Sequence, residues 1–144
     1  MQNMAAIEDN VEVRIITKAS IADLTALYRS AGWWNASFDQ NPEFLKSIVA
    51  DSALFAGAFF KDKMIGMGRA LSDKASDAYI QDVAVLEKFR SNGIGKRIIM
   101  LLVKRLKAYH IDWIGLIARP GTSSFYEKLG FERLDGYIPL KYKD

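Results

Sequence analysis

A short glycine-containing loop, Arg90–Gly95, joins a predicted apolar strand to the start of the longest predicted helix. A helix start offers main-chain N–H groups that lack helical partners, together with the positive end of the helix dipole. Gly93 and Gly95 have no Cβ atoms, so a phosphate can approach the main chain closely, and Lys96 and Arg97 add positive charge. The loop therefore predicts a pyrophosphate-binding site. The alternative is a strand-to-helix turn that binds no ligand.

Two familiar phosphate-binding motifs do not match this loop. A P-loop requires glycine at the position of Arg90 and serine or threonine at the position of Arg97. A dinucleotide-binding fingerprint requires a small residue where Ile98 stands, because the helix must pack closely against the strand. The sequence therefore excludes both motifs and leaves a different kind of phosphate site.

The composition is that of one globular domain. Of the 144 residues, 50% are hydrophobic and 26% are charged. Residues 1–10 are expected to form a flexible tail and residues 11–144 a single domain. No apolar run approaches the roughly 18 residues that span a bilayer, and no secretory signal is recognised at the N-terminus. We therefore expect a cytoplasmic protein without a membrane partner.

The inventory of reactive side chains is short. The absence of cysteine excludes disulfides, thiolate metal sites and a cysteine nucleophile. His110 is the one histidine, so no metal site is predicted. The net charge of +3 is mild, and a ligand carrying phosphates accounts for it as well as a nucleic acid does. No nucleic-acid partner is expected.

Hydrophobic periodicity predicts eleven elements in the order β-α-α-β-β-β-α-β-α-β-β. The predicted strands are residues 11–16, 53–60, 64–72, 78–86, 113–118, 131–134 and 137–142. The predicted helices are residues 20–31, 43–51, 94–109 and 123–129. An antiparallel meander followed by a βαβ unit indicates the α+β class, with a mixed, mostly antiparallel sheet of about seven strands flanked by helices. The last two strands could also pair between two copies, so a homodimer is a further hypothesis.

Two motifs in combination resemble the GNAT N-acetyltransferase superfamily. The first is Arg90-x-x-Gly93-x-Gly95 after a strand, and the second is the later segment 125–131, which reads FYEKLGF. The resemblance extends over roughly residues 12–135 and includes the element order. It implies direct transfer of acetyl from acetyl-CoA to a primary amine of a small molecule or peptide, within a ternary complex. The alternative is a catalytically silent acyl-CoA-binding or regulatory module of the same fold.

The resemblance also implies where the cofactor lies. The strand before the loop would offer its main chain to the pantetheine arm, and the loop would hold the pyrophosphate. The residues implied in cofactor binding are Val83, Ala84, Val85, Arg90, Ser91, Asn92, Gly93, Ile94, Gly95, Lys96, Arg119 and Ser124. The arginine at position 119 differs from the family pattern, since relatives often carry asparagine seven residues before the residue that matches Tyr126. Its side chain could reach a cofactor phosphate or an anionic acceptor.

Tyr126 matches the family tyrosine that commonly protonates the departing thiolate. A phenol with a pKa near 10 is a reasonable proton donor to a thiolate with a pKa near 8.5. The alternative role is a structural hydrogen bond at a helix start. For the general base, strand alternation places Tyr79 and Gln81 on one face and Asp82 on the other, unless a bulge intervenes. We therefore predict a water relay through Tyr79 or Gln81.

Two adjacent tryptophans, Trp33 and Trp34, lie between the first two predicted helices. Adjacent large side chains cannot easily face one core, so at least one is expected to be exposed or to line a cleft. The superfamily shapes its acceptor pocket in this region. Both residues are therefore predicted to bind the acceptor, and the alternative is a hydrophobic anchor for the loop.

Overall fold

One five-stranded sheet organises the computed structural model, which describes residues 4–144 of the chain. The strands lie side by side in sequence order: β1 (Glu12–Ile15), β2 (Leu54–Phe60), β3 (Lys63–Ser72), β4 (Asp77–Val85) and β5 (Trp113–Gly115). The first four pair antiparallel, whereas β4 and β5 pair in parallel. The α+β class and the mixed, mostly antiparallel sheet are therefore confirmed.

Within residues 4–144, five helices accompany the sheet: α1 (Met4–Asp9), α2 (Ile21–Ser30), α3 (Phe44–Asp51), α4 (Ile94–Ala108) and α5 (Ser123–Lys128). Short 3₁₀ turns cover Ala36–Gln40 and Glu87–Phe89. The Ser20 hydroxyl accepts a hydrogen bond of 3.0 Å from the Asp23 N–H, which caps the start of α2 as the sequence predicts. The parallel pairing of β4 and β5 requires a crossover, and α4 provides it.

The core consists of two clusters, one on each face of the sheet. Helix α4 packs on one face through its buried apolar stripe of Ile98, Leu102 and Leu106. Helices α2 and α3 cover the other face with Leu24, Leu27 and Leu45. Successive strand residues point to opposite faces, so β2 alone supplies side chains to both clusters. Packing in these two clusters thus fixes the position of the strands relative to α4.

Gly68 on β3 lies directly beneath α4. A Cβ atom at this residue would lie 2.7 Å from Ile98 Cγ2 and 3.3 Å from Leu102 Cδ1. Gly68→Ala is therefore expected to lower the free energy of unfolding by about 1–3 kcal/mol through overpacking, as measured by urea denaturation. Gly95→Ala is the matched control, because its added Cβ would meet Phe125 Cζ at an ordinary 3.5 Å. Equal stability of Gly68→Ala and the native chain would contradict this packing.

The predicted strands over residues 131–134 and 137–142 are wrong, and the sheet has five strands rather than about seven. The turn between them does form, since the Tyr137 N–H donates to the Leu134 carbonyl at 3.1 Å and Gly136 has a φ of +85°. Residues 132–144 are exposed and pair with no strand. Side-chain alternation reports only that a segment suits a strand. It does not supply the neighbour that a strand requires.

The segment expected to form a flexible tail, residues 1–10, includes a helix. Within the described part, Met4–Asp9 form α1, and Ile7 is buried in the cluster beneath α4. The Arg97 guanidinium ties this segment to α4 by donating to the Val11 carbonyl at 2.7 Å. Residues 1–3 lie outside the described residues. No helix within residues 4–144 is long and apolar enough to cross a membrane.

Candidate active site

The sheet opens where β5 ends. Strands β4 and β5 pair at only three positions, the last being Tyr79 opposite Gly115. Strand β4 continues to Val85, so its later residues have no strand partner on the β5 side within residues 4–144. A cleft of about 380 Å³ lies at this opening. Main-chain groups along the open edge of β4 can therefore pair with an extended ligand.

Many of the residues predicted from the sequence come together around this cleft. Those in its lining are Trp33, Tyr79, Gln81, Val83, Ala84, Val85, Arg90, Arg119 and Tyr126. Asp82, Leu116, Ile117 and Thr122 line it as well. Trp34 and Ser124 lie outside the lining. The remaining predicted residues lie outside this lining, in the loop and first turn of α4 that follow Arg90. They are Ser91, Asn92, Gly93, Ile94, Gly95 and Lys96.

Two side chains of the loop before α4 donate hydrogen bonds to nearby main-chain carbonyls. The Asn92 amide is buried and donates to the carbonyls of Phe89 and Arg90, each at 3.0 Å. Arg90 Nε donates to the Val85 carbonyl at 2.9 Å, which ties the loop to the end of β4. These contacts fix the conformation of the loop.

The start of α4 satisfies the requirements of an anion site. Gly93 is the N-cap with a φ of +72°, and no side chain caps the helix there. The first-turn N–H groups of α4 therefore lack intrahelical partners, and a 15-residue helix directs its dipole at them. Lys96 is exposed on this turn, whereas Arg97 points away toward Val11. These groups fit the pyrophosphate of a CoA-type ligand.

Tyr126 on α5 is half-buried at the cleft. Its ring contacts Phe125 and Phe131 with centroid separations of 5.0 Å and 5.9 Å. Burial raises the pKa of the Tyr126 phenol, and the positive charge of Arg119 opposes that rise. Tyr126 is consequently a protonated hydrogen-bond donor at neutral pH, held in position by aromatic packing.

Tyr79 is also a neutral phenol at the cleft. Burial raises the pKa of its hydroxyl, and a hydrogen bond with the Ile117 main chain opposes the rise. Tyr79 thus lies at the point where β4 and β5 separate, with Gln81 two residues further along the open strand. Both side chains can hold a water molecule, but neither is a carboxylate.

Asp82 lies in the cleft lining because β4 contains a bulge. Met67 pairs with Ala84 and Arg69 with Gln81, so β4 carries one extra residue in this interval. Asp82 takes up the irregularity with a φ of +55°, a left-handed conformation that non-glycine residues seldom adopt. Strict alternation had placed Asp82 on the face opposite Gln81. The bulge instead brings Asp82 into the same cleft lining as Gln81.

The Asp82 carboxylate has two strong partners. Its Oδ2 atom accepts hydrogen bonds of 2.8 Å from Tyr28 Oη and 2.8 Å from Arg69 Nε. Arg69 and Asp82 form a mostly buried ion pair, with side-chain exposures of 14% and 18%. Burial, followed by the charge of Asp82, raises the pKa of Tyr28 well above the ordinary range of a phenol. Tyr28 and Arg69 were missed from the sequence, because their partners are distant in the chain.

The two adjacent tryptophans face different surroundings. Trp33 lines the cleft, packs edge-on against Tyr28 at 5.7 Å and lies 4.8 Å from the Arg119 guanidinium. Arg119 Nη2 also donates to the Ala31 carbonyl at 2.9 Å, which links the β5 side of the cleft to the end of α2. Trp34 Nε1 instead donates to Asp39 at 2.8 Å, within the loop. Trp33 thus belongs to the cleft and Trp34 to the loop packing.

An opened pair of parallel strands, with an uncapped helix start after one strand and a tyrosine after the other, is the arrangement that the resemblance to GNAT acetyltransferases implies. Residues 34–137 match the family model described as the acetyltransferase (GNAT) domain. The chain therefore belongs to the GNAT acetyltransferase family and is an enzyme. Members of this family use acetyl-CoA as cosubstrate and act on small-molecule or peptide amines.

Similar proteins have been described in several organisms. An uncharacterized N-acetyltransferase, ycf52, of Pyropia yezoensis is 32% identical over 85% of this chain and 74% of its own length. A probable acetyltransferase of Staphylococcus aureus has a solved structure with a TM-score of 0.74 and 25% identity, covering 92% of this chain and 99% of its own. The aminoglycoside acetyltransferase AAC(6')-Iy, solved with a CoA-containing bisubstrate analog, is 15% identical with a TM-score of 0.72, covering 93% and 99% of the two chains. This last likeness concerns the fold alone.

Proposed function

We propose that this enzyme transfers acetyl from acetyl-CoA directly to a primary amine while both substrates are bound. The observation that carries the proposal is the cleft itself, whose lining brings together the open edge of β4, Arg90 of the loop before α4, Tyr126, Trp33 and Asp82. Acetyl-CoA supplies a thioester carbonyl that accepts the amine nitrogen, and its sulfur departs as a thiolate. A cytoplasmic location stays a prediction.

The cosubstrate side of the cleft is formed by main chain more than by side chains. Val83 and Val85, on either side of Ala84, offer main-chain N–H and carbonyl groups at the unpaired strand edge, which suit the amides of a pantetheine arm. The Arg90–Lys96 segment offers first-turn N–H groups and positive charge to the pyrophosphate. Ser124 and Arg119 are proposed to contact the cosubstrate at the margin of this site.

The acceptor side of the cleft combines an aromatic wall with a carboxylate. The Trp33 ring suits the hydrocarbon part of an amine or, in its cationic form, a cation–π contact. Oδ2 of Asp82 is taken by Tyr28 and Arg69, whose contacts fix the orientation of the carboxylate. We propose that Asp82 holds the acceptor ammonium and receives its proton through water bound by Tyr79 or Gln81.

The protein's proton transfers then balance. Two protons leave the acceptor nitrogen, one to Asp82 before the attack and one to water after it, and one proton passes from the Tyr126 phenol to the departing sulfur. Both groups re-equilibrate with solvent after the products leave. The chain has no cysteine, so no acyl-enzyme on a thiol is part of this route.

A thiol-detection assay tests the proposal. Free CoA release is followed with a thiol reagent across arylalkylamines, polyamines, aminoglycosides, amino acids and peptides, and the Cys-free protein contributes no background. Release that depends on one amine class is expected and would identify the acceptor. Binding of acetyl-CoA is measured in parallel by calorimetric titration. Binding without release from any class would count against acetyl transfer to these amines, and absence of binding would overturn the cosubstrate site.

The two tryptophans give a paired test of the acceptor side. Trp33→Ala is expected to raise the KM of a cationic acceptor roughly 5- to 10-fold with little change in the KM of acetyl-CoA, because a cation–π contact of about 1 kcal/mol is lost. Trp34→Ala is the matched control and should lower stability while leaving the acceptor KM near its native value. Steady-state kinetics with each substrate varied in turn provides the measurement. Equal KM changes in both variants would contradict the division between cleft and loop packing.

A further inference from the structure

Tyr28 contacts two side chains of the cleft lining without lining the cleft itself. It lies near the end of α2, is 7% exposed and belongs to the core cluster between the sheet and helices α2 and α3. The lining includes Asp82 and Trp33 but not Tyr28. The Tyr28 hydroxyl donates to Asp82, and its ring packs edge-on against Trp33. A residue placed in this way acts on a bound ligand only through its neighbours.

The hydroxyl of Tyr28 holds the carboxylate of Asp82. Asp82 Oδ2 accepts hydrogen bonds of 2.8 Å from Tyr28 Oη and 2.8 Å from Arg69 Nε, so the carboxylate is held from α2 and from β3. Burial, followed by the charge of Asp82, raises the pKa of the Tyr28 phenol, which therefore donates throughout the neutral range. Within residues 4–144, no group donates to Oδ1 of Asp82. The two contacts thus orient the carboxylate and leave Oδ1 available to an ammonium group.

The rest of Tyr28 holds Trp33. The Tyr28 carbonyl accepts a hydrogen bond of 2.9 Å from the Trp33 N–H, and the two rings meet at 5.7 Å with an interplanar angle of 66°. Gly32, with a φ of +80°, turns the chain back after the end of α2. The main chain and the indole of Trp33 are therefore both held by the same residue.

We infer that Tyr28 is a positioning residue for the acceptor, because it fixes the Asp82 carboxylate and the Trp33 ring relative to each other. The inference rests on the proposed acceptor side of the cleft. Trp33 follows α2, whereas Asp82 lies at the bulge of β4 with a φ of +55°, a conformation that persists only where surrounding contacts favour it. Groups that bind a reacting ligand must be held within about 0.5 Å of their productive positions. Tyr28 provides that constraint for both groups at once.

A double-mutant cycle tests the link with Asp82. Tyr28→Phe removes only the hydroxyl and is expected to lower kcat/KM for the acceptor about 10-fold, the effect of losing one hydrogen bond to a charged group. The KM of acetyl-CoA should stay near its native value. In the Asp82→Asn background, the same substitution should change kcat/KM by less than about 2-fold, because no charge remains to be positioned. Tyr109→Phe is the matched control, since it removes an exposed hydroxyl outside the cleft lining.

The outcomes of this cycle separate the inference from the proposed function. Native kcat/KM in Tyr28→Phe, beside a large loss in Asp82→Asn, would overturn the positioning role and leave the role of the carboxylate standing. An undiminished effect of Tyr28→Phe in the Asp82→Asn background would also overturn it, because the hydroxyl would then act other than through Asp82. Native kcat/KM in Asp82→Asn would overturn the proposed role of the carboxylate and the inference with it. Urea denaturation of each variant verifies that folded protein is assayed.

The link with Trp33 is measured without turnover. Fluorine NMR of protein labelled with 5-fluorotryptophan reports on the three tryptophans, and Trp33→Phe assigns the resonance of Trp33. Tyr28→Leu removes the ring contact and is expected to shift and broaden this resonance, whereas Tyr28→Phe keeps the ring and should leave it near its native position. Trp113 on β5 is the internal reference. An unchanged Trp33 resonance in folded Tyr28→Leu, or an equal change at Trp113, would overturn this link. If Tyr28→Leu does not fold, the cycle with Tyr28→Phe decides the inference.

Discussion

Replacing Tyr126 with phenylalanine is expected to lower kcat by about 100-fold or more, while the Kd of acetyl-CoA stays unchanged. The substitution removes only the hydroxyl, and the ring keeps its contacts with Phe125 and Phe131. Burial raises the pKa of this phenol, so the proton it donates is present throughout the neutral range. Without that proton, the thiolate must leave unprotonated or take a proton from water. Steady-state kinetics and calorimetric titration measure the two quantities.

The control for this variant is Tyr109→Phe. Tyr109 ends α4, is exposed and lies outside the cleft lining, so its hydroxyl should not affect turnover. If Tyr126→Phe keeps native turnover, the hydroxyl has no part in the mechanism and the residue serves packing alone. If it loses acetyl-CoA binding as strongly as turnover, the hydroxyl positions the cosubstrate and is not the proton donor.

Replacing Asp82 with asparagine is expected to lower kcat/KM for the acceptor about 100-fold. Asparagine has nearly the same size and retains an oxygen that can accept from Tyr28 and Arg69. The variant should therefore keep the bulge and the fold but lose the negative charge that holds the ammonium and takes up its proton. The Kd of acetyl-CoA is expected to stay near the native value. Native kcat/KM in Asp82→Asn would assign the carboxylate a structural role and leave the water relay at Tyr79 and Gln81.

Asp82→Ala separates structure from chemistry at the same position. Removing both oxygens leaves Arg69 mostly buried without its ion-pair partner and Tyr28 without its acceptor. The free energy of unfolding is expected to fall by about 2–3 kcal/mol, as measured by urea denaturation. The free energy of unfolding of Asp82→Asn should fall much less than that of Asp82→Ala. A large activity loss in Asp82→Asn at nearly native stability would therefore identify a role for the charge itself.

The parts of the site that could be predicted from the sequence are those set by neighbours in the chain. The apolar stripe of α4, the helix start at Gly93 and the turn before it depend on local spacing and on a positive φ at glycine. The Arg90–Gly95 loop and Tyr126 were predicted from two short motifs, and their roles in cofactor binding and catalysis stay predictions. These segments are where the structure and the prediction coincide most closely.

The parts that could not be predicted depend on contacts between distant segments. Whether β4 bulges at Asp82 is decided by its pairing with Arg69 and Met67 on β3, and alternation along one strand carries no information about that pairing. The predicted hairpin after residue 131 failed for a related reason, since a strand requires an edge as well as a pattern. The separate surroundings of Trp33 and Trp34 likewise follow from Tyr28, Arg119 and Asp39, all supplied by the fold.

The position of Trp33 in the cleft makes its intrinsic fluorescence a reporter of that site. The chain has three tryptophans, and only Trp33 among them lines the cleft. Indole emission depends on nearby charge and on contact with water, and the Arg119 guanidinium already lies 4.8 Å from this ring. A ligand that enters the proposed acceptor side is expected to displace water from Trp33 and to change the distance between its ring and that charge. Fluorescence at equilibrium and in stopped-flow mixing can therefore follow the order in which the two substrates arrive, without a label.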